Sequence, residues 1–222
     1  MHIFTYWTGN RSVLTPFMGD WSGAGLDVAV YGPEDVCGIV PDPELFRAVS
    51  IPACQSDVAR LALLHRHGGL YVDAHAGKPN VDMLRHVFDT QCEVTIFATR
   101  TPRNPDGGVV NSAIRADQAS PFMADCVGEA FANLAALRSA EVSAGGWVRY
   151  NIAALTGSWL LNKRACVIGA KPPTLRADAC QRVALYPLWD SPHPFALYAH
   201  YGYRTPGEHW SERQKHERLF TT

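Results

Sequence analysis

Asp57 and Arg60 stand three residues apart at the start of a segment, residues 58–67, that is apolar almost all round and free of Gly and Pro. At that spacing they share one helix face, and Leu61 and Leu64 lie on the same side. Charges on a largely apolar helix are tolerated only when paired or bound to something. Asp73 and His75 stand two apart, directly after the apolar run Leu70-Tyr71-Val72. If that run is a strand, both residues sit at its carboxyl end, where open α/β sheets bind their ligands. As a carboxylate pair, Asp57 and Asp73 would suit the hydrolysis of a glycoside. The plain alternative is an Asp57–Arg60 structural pair followed by a polar turn.

These residues need a helix, a sharp stop and a strand to hold them. Ser56-Asp57 is a helix start, with a serine oxygen to cap backbone N–H groups and an early acid to suit the dipole. Gly68-Gly69 ends the helix with residues that tolerate positive φ. Upstream, residues 2–7 and 26–31 read as strands, and residues 14–18 and 44–49 as short helices. The prolines between positions 33 and 52 predict mostly loop there. Downstream, the pattern predicts a helix over 81–88, a strand over 94–99, a loop over 100–108 and a strand over 109–115. A long amphipathic helix covers 122–137, short strands 182–186 and 197–201, and a closing helix 208–220. Alternating strands and helices at this spacing argue for an α/β fold with a central, mostly parallel sheet, built as one domain over residues 1–222.

Composition sets limits. A chain of 222 residues with 47% hydrophobic and 18% charged residues has the make-up of an ordinary globular domain. A formal net charge of −1 offers no electrostatic case for nucleic acid. No signal-like start and no apolar stretch near the ~20 residues of a membrane span are present, so a cytoplasmic protein without a transmembrane segment is expected. The six cysteines, Cys37, Cys54, Cys92, Cys126, Cys166 and Cys180, form no CxxC pair and read as reduced structural thiols.

Asp57, Arg60, Leu64, Gly68, Gly69, Tyr71 and Asp73 fall within 17 positions in the pattern SD-x-x-R-x-x-x-L-x-x-x-GG-x-Y-x-D. This resembles the core of the DXD-motif sugar transferases, with His75 in place of the second acid. The resemblance implies a GT-A-like, Rossmann-like domain. Its activity would be a glycosyltransferase moving a sugar from a UDP- or GDP-linked donor to a hydroxyl acceptor, with retention of configuration. The acceptor would be a saccharide, a lipid-linked glycan or a small molecule, as in polysaccharide biosynthesis. Asp57, Arg60 and Asp73 would be catalytic.

The same resemblance implies donor contacts from Trp7 and Gly9 at the end of the first strand, and from Tyr71, Asn111, Thr156, Gly157 and Trp210. On pattern alone Trp7 reads rather as a core tryptophan at a strand end. Thr156-Gly157 could present backbone N–H groups to an oxygen-rich ligand or be an ordinary helix break. A divalent cation, Mn2+ or Mg2+, would offset charge on the departing diphosphate. Asp73, His75 and the late His200 are its implied ligands, although imidazole leans toward later transition metals. Polypeptide GalNAc-transferases are similar in carrying Asp-x-His with Mn2+. On its own, His200 also reads as a hydrogen-bonded strand histidine. A protein that binds nucleotide sugars without turning them over, a hydrolase using Asp57 and Asp73, and an interaction protein remain the alternatives.

Overall fold

A computed structural model describes residues 1–102, 104–189, 191–200 and 209–221. Six strands form one sheet: β1 (Ile3–Tyr6), β2 (Val28–Tyr31), β3 (Gly69–Val72), β4 (Val94–Thr101), β5 (Asn104–Ala116) and β6 (Val183–Pro187), in the order β2-β1-β3-β5-β4-β6. The β1–β2, β1–β3 and β4–β6 pairs are parallel, whereas β5 runs antiparallel to both β3 and β4. This is the mostly parallel sheet the sequence predicts, with one reversed strand set into it.

Helices cover both faces. On one side lie α2 (Pro33–Cys37), α3 (Pro43–Ala48), α4 (Pro52–His67), α6 (Pro121–Ala144), α7 (Ile152–Leu155) and α8 (Ser158–Ala165). On the other lie α1 (Thr15–Ser22) and α5 (Val81–Phe88). Strand alternation divides the core accordingly. Phe4 and Tyr71 join the first set, and Ile3, Leu70 and Val72 the second. No helix among the described residues is long and apolar enough to cross a membrane.

Helix α6 is built as its pattern predicts and runs further. Ser120 accepts the Met123 N–H at 3.1 Å, Pro121 takes the first position, and Gly145 closes the helix in the left-handed region. Its stripe of Phe122, Met123, Cys126, Val127, Phe131 and Leu134 is buried against α4. The two glycines after α4 are obligatory. A Cβ on Gly68 (φ +66°) would meet Gln118 N at 2.5 Å, and one on Gly69 (φ +101°) would meet His2 O at 2.3 Å. The helix therefore passes into β3 through a channel with no room for a side chain.

Several elements depart from the sequence reading. Helix α4 begins at Pro52, not at Ser56, because proline suits the first turn of a helix, and Ser56 and Asp57 fall inside it. Proline at the first position also starts α2, where loop was expected. Residues 100–102 and 104–108 are no loop but belong to the end of the β4–β5 hairpin. Thr101 pairs with Asn104 and Thr99 with Gly108, and Pro105 falls in the register shift between these two pairs. Residues 197–200 form no strand; the rest of that prediction lies outside the described residues. The closing helix shrinks to α9 (Trp210–Arg213), and the tail beyond it is fastened by the buried Glu141 carboxylate, which accepts the Leu219 N–H at 2.7 Å. All six cysteines are unbridged thiols, four of them buried.

Candidate functional site

The carboxyl end of β3 is where the chemistry collects. The consecutive α4 and β3 tip are joined there by two segments far away in sequence, the middle of β5 and the α7–α8 junction. Arg60 is the centre. Its guanidinium lies 3.2 Å from Asp57 Oδ1 and 3.3 Å from Asp73 Oδ1, and its Cζ stands 4.6 Å over the Tyr71 ring. It also donates to the Ser56 carbonyl at 3.1 Å, to Ser56 Oγ at 2.9 Å and to the Asn111 carbonyl. A planar fork with five N–H donors can satisfy so many acceptors at once, and a lysine could not.

Asp57 is the inner carboxylate, its side chain 9% exposed. Asn111 Nδ2 donates to its Oδ1 at 2.7 Å and Thr156 Oγ1 to its Oδ2 at 3.2 Å. Gly157 backs it closely, since a Cβ there would stand 2.8 Å from Oδ2 and 3.0 Å from Ala153 Cα. Burial pushes the Asp57 carboxyl up to about 6, helped by the Asp73 charge and opposed by Arg60, Thr156 and Asn111.

Asp73 is the outer carboxylate, its side chain 23% exposed. Burial would raise its pKa, but Arg60 and His75 outweigh burial and hold the group below its ordinary value. Tyr71 donates its hydroxyl to Oδ1, and Ser56 Oγ lies 3.2 Å from that hydroxyl. The Asp73 N–H is anchored on the Ser112 carbonyl at 2.7 Å, which extends the β3–β5 ladder past the strand end. The site thus presents one carboxylate held ionised and partly open to solvent, over a second that is enclosed.

His75 sits beside Asp73 Oδ2, with Nε2 at 3.3 Å. The Tyr198 N–H points at its Nδ1 from 3.3 Å, and the two rings pack at 4.8 Å. A backbone N–H can only donate, so Nδ1 is the bare nitrogen and the ring proton rests on Nε2, facing the carboxylate. Tyr198 holds this position at φ +66°, a strained conformation for a residue with a side chain. Residues 194–200 run along the loop after β3: the Gly77 N–H bonds the Ala196 carbonyl and the Ala199 N–H the His75 carbonyl, both at 2.8 Å.

The three residues expected to share a metal are not brought together. The His200 ring faces Asp20, with Nε2 2.9 Å from Oδ2, and only its backbone touches His75. Among the described residues no three His, Cys, Asp or Glu side chains converge as a ligand set. An imidazole whose Nε2 carries a proton toward Asp73 offers that nitrogen to no cation. As arranged, the expected ligands do not fit a resident Mn2+ or Mg2+.

The other expected donor contacts divide. Tyr71, Asn111, Thr156 and Gly157 join the Asp57–Arg60–Asp73 assembly. The Thr156-Gly157 turn does not offer its backbone N–H groups, because both are spent on the Ile152 carbonyl at 3.0 and 3.2 Å. It contributes instead the Thr156 hydroxyl and the space beside Gly157. Trp7 follows β1 at the same sheet edge and donates its indole N–H to the Asn10 carbonyl at 3.1 Å. Gly9 lies beneath it, where a Cβ would come within 3.2 Å of the indole nitrogen. Trp210 packs against the helical core, with no contact to the carboxylates among the described residues. Ser56 was expected only as a cap, yet it bridges Arg60 and Tyr71. Its position four residues before Arg60 was the available signal.

No known protein family matches the sequence, and no curated protein matches it at a significant level. Among solved structures it is similar to the PaToxG glycosyltransferase, with a TM-score of 0.47 and 11% identity over 73% of this chain and 66% of that one. It is also similar to the UDP-bound glycosyltransferase domain from the YGT toxin, with a TM-score of 0.46 and 11% identity over 81% of this chain and 54% of that one. The chain therefore spans about two thirds of one and about half of the other. At these scores the likeness assigns no activity to this chain.

Proposed function

We propose that this site binds a nucleoside-diphosphate sugar and transfers the sugar to a hydroxyl acceptor with retention of configuration, all within one domain. The observation that carries the reading is the division of labour between the two carboxylates around Arg60. Asp73 is ionised, partly exposed and placed at a strand tip on the sheet edge where ligands bind. An ionised carboxylate accepts hydrogen bonds and gives none, so it suits the hydroxyls of a sugar ring. Asp57 is enclosed and serves to orient Arg60, which in turn keeps Asp73 charged.

In the transfer, the bond from the anomeric carbon to the diphosphate oxygen breaks as the bond to the acceptor oxygen forms on the same face. The acceptor's proton passes to the departing diphosphate oxygen. Among the described residues no side chain of the site is placed as a separate nucleophile, since Asp57 is enclosed and Asp73 is bound on both oxygens. The residues contribute by fixing the donor sugar beside rigid strand ends. No step is routed through a metal, because the expected ligands do not fit one.

Paired-carboxylate hydrolysis needs two carboxyl groups flanking the scissile bond with the sugar between them. Here the space between Asp57 and Asp73 is filled by the Arg60 guanidinium, which touches both. The geometry therefore favours transfer from an activated donor over direct glycoside hydrolysis.

The test is a thermal-shift panel of UDP- and GDP-sugars, followed by assay of nucleotide release. A true donor present at a hundredfold excess over its Kd stabilises the fold by about 2.7 kcal/mol. A panel in which no nucleotide sugar shifts the transition and none is consumed refutes the proposal.

A further inference from the structure

Beyond the carboxylates, the β4–β5 hairpin projects past the carboxyl ends of the parallel strands. Asn111, which holds Asp57, leads back along β5 to Val109, Gly108 and Asn104. On the same face of the sheet α8 starts at Ser158, directly after the glycine that backs Asp57. Between the hairpin, the first turns of α8 and the loop around Lys171 lies a cavity of about 270 Å3. Its walls thus continue the two segments that position Asp57, on the sheet edge that carries Asp73.

The lining is chemically specific. Trp159 is 60% exposed, an unusual state for the largest apolar side chain. Asn104, Asn162 and Ser158 supply two carboxamides and a hydroxyl, and Lys171 an ammonium. None of these five side chains makes a hydrogen bond or ion pair among the described residues. Gly108 keeps the space open for one of them, since a Cβ there would lie 2.6 Å from Asn104 Nδ2. Carboxamides donate and accept at once, as sugar hydroxyls do, and an indole face packs against the C–H face of a ring. The ammonium calls for a negative group on the ligand. A volume just below the ~300–1,000 Å3 of common ligand pockets suits one ring rather than a long chain.

We infer that this cavity is the acceptor subsite and that it receives a hexuronic acid ring, with Trp159 under the ring and Lys171 at its carboxylate. This rests on the transferase reading above, and the experiment separates the two. The probe is glucuronate, with glucose as the neutral control, followed by ligand-observed NMR and by nucleotide release from whichever UDP- or GDP-sugar the parent protein hydrolyses.

Glucuronate should bind about two- to fivefold tighter than glucose and should accelerate nucleotide release. Trp159→Ala should weaken glucuronate about tenfold or more. Lys171→Gln should bring the two sugars to equal affinity. Both variants should keep the parent's slow hydrolysis of donor in the absence of added sugar. Glucuronate binding that ignores both substitutions, or that leaves nucleotide release unchanged in a protein that hydrolyses donor, overturns the assignment. If glucuronate binds as described but no nucleotide sugar is hydrolysed, the transferase reading falls, and with it the acceptor role.

Discussion

Replacing Arg60 by Met removes the one cation among the described residues that touches both Asp57 and Asp73, while roughly keeping the volume of the side chain. Two carboxyl groups are then left in a low-dielectric site without their counter-charge. Removing one partner of a buried ion pair costs about 3–5 kcal/mol, a large share of the ~5–15 kcal/mol that holds a domain folded. The deficit must also depend on pH, with a definite sign. In the parent, Arg60 holds Asp73 below its ordinary value and restrains the rise of Asp57. Without it both pKa values climb, so the folded state keeps protons that the unfolded chain has already released. Stability then falls as pH rises from the ordinary carboxylate range through the raised values. Urea unfolding followed by the fluorescence of the six tryptophans should show the full deficit at pH 7.5 and a clearly smaller one at pH 5. Arg60→Lys should recover the charge but not the fork, and so only part of the loss. A deficit below about 1 kcal/mol that is the same at both pH values would refute the account of Arg60 as the hub.

Asp57→Asn tests the inner carboxylate. A carboxyl raised from 3.8 to about 6 loses about 3 kcal/mol of folded-state advantage as pH climbs through that window, so the stability of the parent relative to the variant should fall by about 2 kcal/mol or a little more between pH 4 and pH 7. Gly157→Ala should cost about 1–3 kcal/mol, because its Cβ meets Asp57 Oδ2 and the Ala153 backbone. Gly128→Ala, in the middle of α6 with nothing within 4 Å, should instead gain about 0.5–1 kcal/mol, and equal effects at the two glycines would contradict the packing described. Nitrogen NMR of His75 should show the tautomer protonated at Nε2, and added Mn2+ without nucleotide should leave the melting temperature in place. A cation-driven rise lost in His75→Ala would reinstate the histidine as a ligand.

The local parts of this site were legible in the sequence and the long-range parts were not. The run from Asp57 through Gly68-Gly69 to Asp73 encodes its own geometry, because a helix, two obligatory glycines and a strand leave one path for the chain. Asn111 and Thr156 could be named from the family resemblance. That they grip the two oxygens of Asp57 depends on how β5 and the α7–α8 junction dock. His200 was misplaced for the same reason. Its neighbours gave it a suitable context, but its partner Asp20 lies 180 residues away, and the segment before it runs backbone to backbone along residues 75–80. The starts of α2 and α4 are hidden from the sequence because proline, a breaker in most helical patterns, serves there as a first-turn residue. The hairpin tip was misread because Gly107, at φ +91°, packs where a Cβ would strike Trp189 at 2.9 Å, a tertiary reason for a residue that looks like loop.

The central claim is that Asp73, ionised and open to solvent, is the group that meets the donor. Calorimetric titration of the parent and of Asp73→Asn with UDP- and GDP-sugars tests it most directly. The asparagine keeps the shape but loses the charge, and an acceptor lost from a charged hydrogen bond is worth about 1.5–3 kcal/mol. The account predicts donor affinity lower by about tenfold to a hundredfold in the variant. Equal affinity in the two proteins would contradict it.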